Sequence, residues 1–386
     1  MSSNELQFSN PPVAPLKLAA LEGAAEMAAA VNKNLVTSRR ASQDKHPENV
    51  IPGYAEDSYL LNITSSRYGT GEGKVKINES IRGSDMYILT DVTNNSISYK
   101  VCGHENHMSP DNHFQDLKRL ISAANGKARR INVIMPFLYC GRQHKRSGQE
   151  SLDCAVALKE LADYGVANIV TFDAHDPRVM NAVPLCGFDN FMPTYQFLRA
   201  LKKSVPDLIL DKDHFMVISP DEGAMNRGIY LSNIINVDMG TFYKRRDYSR
   251  VVDGKNPIVA HEFLGDSVKG KDVVIIDDMI ASGGSMIDVC KKLKARGCAR
   301  VFICCTFGLF TNGLGAFDDL YEKGMLDKLI TTNLSYRSPE LLSRPYYETA
   351  NMYNYMASII DILNHDISTD KIKSTTHMIT HMLKKQ

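Results

Sequence analysis

The sequence predicts an α/β fold of two tandem domains, each a mainly parallel sheet flanked by helices. Three observations predict it. Apolar runs alternate with amphipathic segments along most of the chain, the pattern of strands joined by helical crossovers. Val273-Val274-Ile275-Ile276 is a run of β-formers without period-2 alternation, which is expected of a strand covered on both faces. The arrangement of the first half recurs in the second, although residue-level self-similarity is weak. At 386 residues and 44% hydrophobic content, the chain is long enough for two separate cores.

Residues 1–14 read as an N-terminal extension and 15–208 as the first domain. Within it, 15–37 hold an Ala-rich helix, roughly Leu21 to Leu35, and 38–57 are polar with two prolines and no periodicity, which predicts a surface insertion. Met86-Tyr87-Ile88-Leu89 is a strand, and Phe114, Leu117 and Ile121 mark one face of a helix. Ile131 to Met135 is a strand, Leu152 to Tyr164 a helix, and Ile169 to Phe172 the next strand. The second domain, 209–386, has strands at Met216 to Ile218, Val273 to Ile276 and Val301 to Thr306. Its last helix, around Tyr353 to Leu363, carries Met356, Ile359, Ile360 and Leu363 on one face. Beyond Ile372 the tail is polar.

Composition excludes several classes of function. With 45 basic and 44 acidic side chains the net charge is +1, so no global field recruits nucleic acid or an anionic membrane, and any attraction for phosphate must be local. No run of about 18 apolar residues appears, and the N-terminus lacks the basic-then-apolar order of a secretion signal, so a cytoplasmic location is expected. The eight cysteines form no Cys-x-x-Cys pair and several lie in apolar runs. They read as reduced and structural.

The most informative string follows the apolar strand. Asp277 and Asp278 end it, and Met279-Ile280-Ala281-Ser282-Gly283-Gly284-Ser285 leads into a helix with Met286, Cys290 and Leu293 at helical spacing and Gly297 as its stop. Loop amides and the helix dipole converge on a point that favours an anion, most simply a phosphate. Two carboxylates repel a phosphate but accept hydrogen bonds from vicinal sugar hydroxyls beside it. A phosphorylated sugar satisfies both halves. The string resembles the phosphoribosyl-binding motif of the type I phosphoribosyltransferase fold, which implies that each domain takes that fold.

Four more constellations fall at predicted strand ends, where parallel sheets place their ligands. Asp173-Ala174-His175-Asp176 sets acids around a histidine, with a metal or phosphate role or a structural one. Ser219-Pro220-Asp221-Glu222-Gly223 through Arg227 offers amides, acid and arginine for pyrophosphate through Mg²⁺, or a capped helix start. Tyr139 to Ser147 and Tyr243 to Tyr248 concentrate cations in short loops, either solvated faces or charge for polyphosphate transfer.

In order and spacing these elements resemble the ribose-phosphate pyrophosphokinase family from about residue 16 onward. Tyr68-Gly69-Thr70-Gly71-Glu72 is similar to the family's aromatic loop, and Ile77 to Gly83 to its following strand. The resemblance implies ATP binding by Tyr68, Thr70, Glu72, Arg142, Gln143 and His175, with Tyr68 and Glu72 coming from a neighbouring subunit. It implies metal binding by His175 and Asp221, and contact with the transferring phosphates by Lys244 and Arg246. Ribose 5-phosphate is implied to bind at Asp277, Asp278, Ala281, Ser282, Gly283, Gly284 and Ser285. Mg²⁺ as cofactor and a homo-oligomer, a hexamer built from dimers, follow from the same resemblance. Three departures stand out. Ala281 replaces a third acid, serines 282 and 285 replace threonines while keeping the hydroxyls, and Thr70 stands where an Asp usually reads adenine. The activity implied is transfer of the diphosphoryl group of ATP to the 1-hydroxyl of ribose 5-phosphate. A non-catalytic regulatory homologue, favoured by Ala281, and a phosphoribosyltransferase are the alternatives.

Overall fold

Alternating inward and outward side chains on consecutive strands set where each core sits. The computed structural model describes residues 10–45, 51–124, 126–246 and 258–384, with the side chains of 244–246, 258–261 and 371 outside the described set. Contacts divide the chain into two units: one runs to Met192 and adds Asn333–Tyr336 and Met352–Ser374, and the other takes Pro193–Thr332, Arg337–Asn351 and the chain from Thr375.

The first unit holds β1 (Leu16–Ala20), α1 (Ala25–Lys45), a hairpin of β2 (Ile63–Arg67) and β3 (Gly73–Ile77), β4 (Asp85–Leu89), a second hairpin of β5 (Ser98–Val101) and β6 (His104–His107), α2 (Pro110–Ala124), β7 (Arg130–Ile134), α3 (Asp153–Asp163), β8 (Asn168–Phe172) and β9 (Gly187–Phe191). Its main sheet runs β1-β4-β7-β8-β9 and every pair is parallel. Phe114, Leu117 and Ile121 of α2 pack with Ile88, Val133 and Ile169 on one face.

The second unit holds α4 (Thr194–Ser204), β10 (Phe215–Ser219), α5 (Met225–Ile235), β11 (Asp238–Arg246), β12 (Ile258–Leu264), β13 (Asp272–Ile280), α6 (Gly284–Ala295), β14 (Val301–Gly308), α7 (Gly315–Glu322), β15 (Lys328–Thr332), α8 (Pro339–Leu342) and β16 (Tyr347–Ala350). Three more helices follow, α9 (Tyr353–Asn364), α10 (Asp370–Lys373) and α11 (Thr376–Leu383). The sheet order is β12-β11-β10-β13-β14-β15-β16, with only the β11–β12 pair antiparallel. Val273 and Ile275 face one core with Met286, Leu293 and Phe317, while Val274 and Ile276 face another with Phe197, Leu201 and Ile379. A strand covered on both faces needs no polar positions, which is why that run reads as continuously apolar.

Several boundaries differ from the sequence expectation. Residues 16–20, to which the sequence reading gave no element, are strand, and α1 continues past the expected Leu35 through Lys45 into what read as a polar insertion. The reason is Arg39, almost wholly buried, whose Nε and Nη2 donate to Asp361 and Asn364 of α9 at 2.8 and 2.6 Å between the rings of Tyr54 and Tyr59. That partner lies more than 300 residues away in sequence, so no local pattern reveals it. The same contacts place α9 in the first unit, not with the C-terminal half. The unit break falls at Met192/Pro193, ahead of the expected 208, because α4 and Leu208 pack in the core of the second unit. The hairpin strand β3 ends at Ile77, so Asn78 to Gly83 are not strand. Past Ile372 the tail forms α11, which buries Ile379. Residues 243–246 lie on β11 rather than in a loop, paired with β12 from Tyr243↔Glu262 to Arg246↔Ile258. Asp247 and Tyr248 lie outside the described residues. No helix among the described residues is long and apolar enough to cross a membrane.

Candidate active site

The strand that carries the paired acids does not stop at them. β13 runs on through Ile280, with Asp277↔Cys305 and Met279↔Phe307 in register on β14. Asp277 Oδ1 accepts from the Asp278 N–H at 2.9 Å. Burial, then the neighbouring Asp278 charge, then that of Asp221, push the Asp277 carboxyl well above the usual carboxylate range. Asp278 is buried with the Arg227 guanidinium 3.8 Å away.

Asp221 reaches this neighbourhood because β10 pairs in parallel with β13, so the loops leaving both strands emerge at one sheet edge. Its Oδ1 accepts from the Gly223 N–H at 3.0 Å, and Ser219 Oγ donates to the Asp221 carbonyl at 2.6 Å, which fixes the turn into α5. Arg227 on the first turn of α5 donates to the Gly223 carbonyl at 3.3 Å and so ties that helix to its loop.

After β13 only Ala281, Ser282 and Gly283 lie between strand and helix; Gly284 and Ser285 already belong to the first turn of α6. Gly283 caps the helix with φ +83, and a Cβ there would stand 2.6 Å from Cε2 of the buried Phe317. Both facts demand glycine. Ala281 is half-buried and its carbonyl accepts from the Thr311 N–H at 2.9 Å. Ser282, Gly284 and Ser285 are exposed at a helix start whose first-turn amides have no intrahelical acceptor.

In the first unit, β7 and β8 are neighbours, so the loops after them also meet. Tyr139 stacks on Phe114 with centroids 4.3 Å apart and donates to Asp111 at 2.7 Å, anchoring the start of one loop. Arg142 is exposed, and Gln143 Nε2 donates to the Ser151 carbonyl at 2.8 Å, closing the loop on itself. His144 Nε2 lies 3.4 Å from Asp176, and its ring centroid 5.4 Å from that of the exposed His175. The Arg178 guanidinium holds Asp176 well below the usual carboxylate range. Thus Arg142, Gln143 and His175 share one sheet edge through His144.

Tyr68, Thr70 and Glu72 sit apart from them on the tip of the β2–β3 hairpin, with Tyr68 and Glu72 exposed and Thr70 Oγ1 donating to Glu72 at 2.9 Å. Lys244 and Arg246 are on β11, one strand away from β13 across β10, and their side chains lie outside the described set. Among the described residues, no group of three or more His, Cys, Asp or Glu is arranged to hold a metal alone. A Mg²⁺ ion bound by one or two carboxylates and by substrate phosphates needs no such cage, and the mutually repelling acids at 221, 277 and 278 fit a divalent cation.

Two family profiles match this chain: "N-terminal domain of ribose phosphate pyrophosphokinase" over residues 16–165, and "Phosphoribosyl transferase domain" over 195–342. Curated relatives include ribose-phosphate pyrophosphokinases of Vibrio parahaemolyticus, 28% identical over 80% of this chain and 90% of the relative, and of Vibrio cholerae, 27% identical over 83% and 95%. The chain belongs to the ribose-phosphate pyrophosphokinase family. Its fold is also that of a crystallised phosphoribosylpyrophosphate synthetase from Mycobacterium smegmatis, with TM-score 0.70 and 22% identity over 91% of this chain and 99% of that one.

Sequence reasoning about this pyrophosphokinase-family chain gave no role to His144 and missed the β5–β6 hairpin altogether. A signal for the hairpin exists. Ser98-Tyr99-Lys100-Val101 alternates, and Cys102-Gly103 has positive φ at both residues, the requirement of a two-residue type I′ turn. For His144 no sequence signal marks which loop its ring meets. Burial pushes the Cys154 thiol up to about 12 and Cys298 to about 11, and Cys154, Cys290, Cys298, Cys304 and Cys305 are buried free cysteines.

Proposed function

We propose that this chain transfers the β,γ-diphosphoryl group of ATP to the 1-hydroxyl of ribose 5-phosphate, giving 5-phosphoribosyl 1-diphosphate and AMP, in the cytoplasm. The observation that carries the reading is the strand-held Asp277–Asp278 pair beside the glycine-capped start of α6. The 5-phosphate docks on the amides of Ser282 to Ser285, and the carboxylates of Asp277 and Asp278 accept from the ribose 2- and 3-hydroxyls. Arg142, Gln143 and His175 bind ATP on the first unit together with Thr70, and Tyr68 and Glu72 come from a neighbouring subunit of a homo-oligomer, a hexamer built from dimers.

Transfer moves the 1-hydroxyl proton off as the hydroxyl oxygen bonds to the β-phosphorus and the bond to the α-phosphate oxygen breaks, leaving AMP. Catalysis comes from alignment and charge rather than covalent participation. Lys244 and Arg246 neutralise charge on the transferring oxygens. Asp221, beside Asp277 and Asp278 on the second unit, and His175 on the first would each offer a ligand to Mg²⁺, which when bound supplies further charge stabilisation at the phosphates.

Incubation with ATP, Mg²⁺ and ribose 5-phosphate followed by nucleotide chromatography tests the reading. AMP should appear only with the sugar phosphate present, and Lys244→Ala should lower its rate by about 10²-fold with ribose 5-phosphate binding nearly unchanged. Absence of AMP with retained ligand binding would favour the second reading, a regulatory homologue, for which Ala281 in place of an acid is the supporting feature. In that case Ala281→Asp should restore turnover.

A further inference from the structure

The tip that carries Tyr68, Thr70 and Glu72 is braced from outside its own hairpin. Arg67, the residue before Tyr68, lies with its guanidinium 4.9 Å from the Tyr99 ring centroid, and its Nη2 donates to Asp116 on α2 at 2.5 Å. Arg119 shares that carboxylate at 2.6 Å. Gly73 makes the room: a Cβ there would stand 2.5 Å from Arg67 Nη1 and 2.6 Å from Arg119 Nη1. On the opposite side the Cys102 N–H donates to the Gly69 carbonyl at 3.4 Å, and a Cβ on Gly71, whose φ is +92, would stand 3.0 Å from Val101 Cγ2. Tyr99 is itself oriented, since its hydroxyl donates to Asn112 at the start of α2 at 3.3 Å.

We infer that the β5–β6 hairpin is a strut that holds the β2–β3 tip in one conformation, with Tyr99 as a positioning residue for nucleotide binding through Arg67. Contacts from two other elements, α2 and β5–β6, converge on Arg67 and on the five-residue turn after it, which has only two backbone bonds of its own, Tyr68 N–H to Glu72 and Gly71 N–H to Tyr68. A surface turn with so few internal bonds samples several conformers unless held, and holding it before the ligand arrives removes an ordering cost from binding. The nucleotide part of this inference rests on the proposed function; the ordering part does not.

The chain has no tryptophan, so Tyr68→Trp places a single fluorophore on the exposed tip. Time-resolved anisotropy of Tyr68→Trp should show a restricted side chain, and adding Tyr99→Leu should release a fast component that Tyr99→Phe, which keeps the ring face, does not. In the chain with native Tyr68, Tyr99→Leu should raise KM for ATP roughly five-fold, the size of one exposed cation–π contact, with kcat and the KM for ribose 5-phosphate unchanged. If Tyr99→Leu loses its folding transition, Arg67→Met replaces it, because Asp116 keeps Arg119 as partner. Unchanged anisotropy in these variants overturns the inference, as does an equal rise in both KM values. A wild-type chain that forms no AMP overturns the proposed function instead, and the anisotropy comparison still decides the strut.

Discussion

Gly283→Ala tests the proposed phosphate loop at the point where backbone and packing both constrain it. At φ +83 an alanine carries the left-handed penalty, about 1–2 kcal/mol. Its Cβ would also meet Phe317 Cε2 and Cζ at 2.6 and 2.7 Å, well inside van der Waals contact. Phe317 cannot retreat easily, because it is buried and packed edge-on against Phe310 at 5.4 Å. Forcing a methyl into such a site costs typically about 1–3 kcal/mol. Together these give a loss of about 2–5 kcal/mol if the loop holds its shape. A smaller loss means that the loop has moved, and its amides with it. Urea unfolding and ribose 5-phosphate titration on the same variant therefore form one measurement: either stability falls by that amount, or affinity for the sugar phosphate falls about ten-fold or more through lost charge-assisted hydrogen bonds. A variant with stability within about 0.5 kcal/mol of wild type and unchanged affinity would refute the reasoning, because a substitution with no such constraint behaves that way.

Three other outcomes are expected. Asp277→Asn should raise the melting temperature of the ligand-free protein at neutral pH while weakening ribose 5-phosphate binding by about 10–100-fold, read by calorimetry; a destabilised variant would mean that the paired acids do not repel. Arg39→Met should cost about 3–5 kcal/mol in denaturant unfolding, since it leaves Asp361 buried without its cation, and Arg39→Met with Asp361→Leu should recover part of the loss. Burial holds the His365 imidazole below its ordinary value, so its contribution to stability is complete above the unfolded pKa of about 6.5 and is lost as pH falls toward the depressed folded value. The melting temperature should fall over that window, and His365→Gln should flatten the fall.

The sheets were legible in the sequence because period and burial are local signals. Val273 to Ile276 is apolar at every position since both faces are covered, and Ile169 to Phe172 is buried throughout with Thr171 as its one polar side chain. The glycine-capped loop was legible for the same reason: positive φ and a helix start are properties of a few adjacent residues. What escaped depends on distant partners. The extension of α1 follows from a buried guanidinium whose acceptors lie on α9, and α9 itself could not be assigned to the first unit from its apolar face alone. The Tyr243 to Arg246 stretch looked like a basic loop because its charges outweigh its β-propensity, yet pairing with β12 makes it strand. His144 had the right position beside Arg142 and Gln143, but only the parallel pairing of β7 with β8 brings its ring to His175 and Asp176.

The continuation of β13 through its acids bears on how the sugar would be held. A carboxylate pair on a flexible loop could relax apart when empty, and its groups would titrate near ordinary values. Here the β14 ladder fixes the backbone on both sides of Asp278, at Asp277↔Cys305 and Met279↔Phe307, so burial and the nearby Asp278 charge both act on Asp277 and raise its carboxyl well above the usual range. For a carboxyl raised in this way, stability is greatest below its unfolded pKa and is lost as pH rises through the folded one. Wherever Asp277 is ionised, the ligand-free protein therefore carries repulsion that hydroxyl donors or a divalent cation would relieve. That repulsion adds to ligand affinity only if the pair is held rigidly, and a ladder holds it where a loop would not. The three-residue connection from Ala281 to Gly283 carries that ladder directly into α6, with the Ala281 carbonyl held by the Thr311 N–H and Phe317 as the floor beneath Gly283.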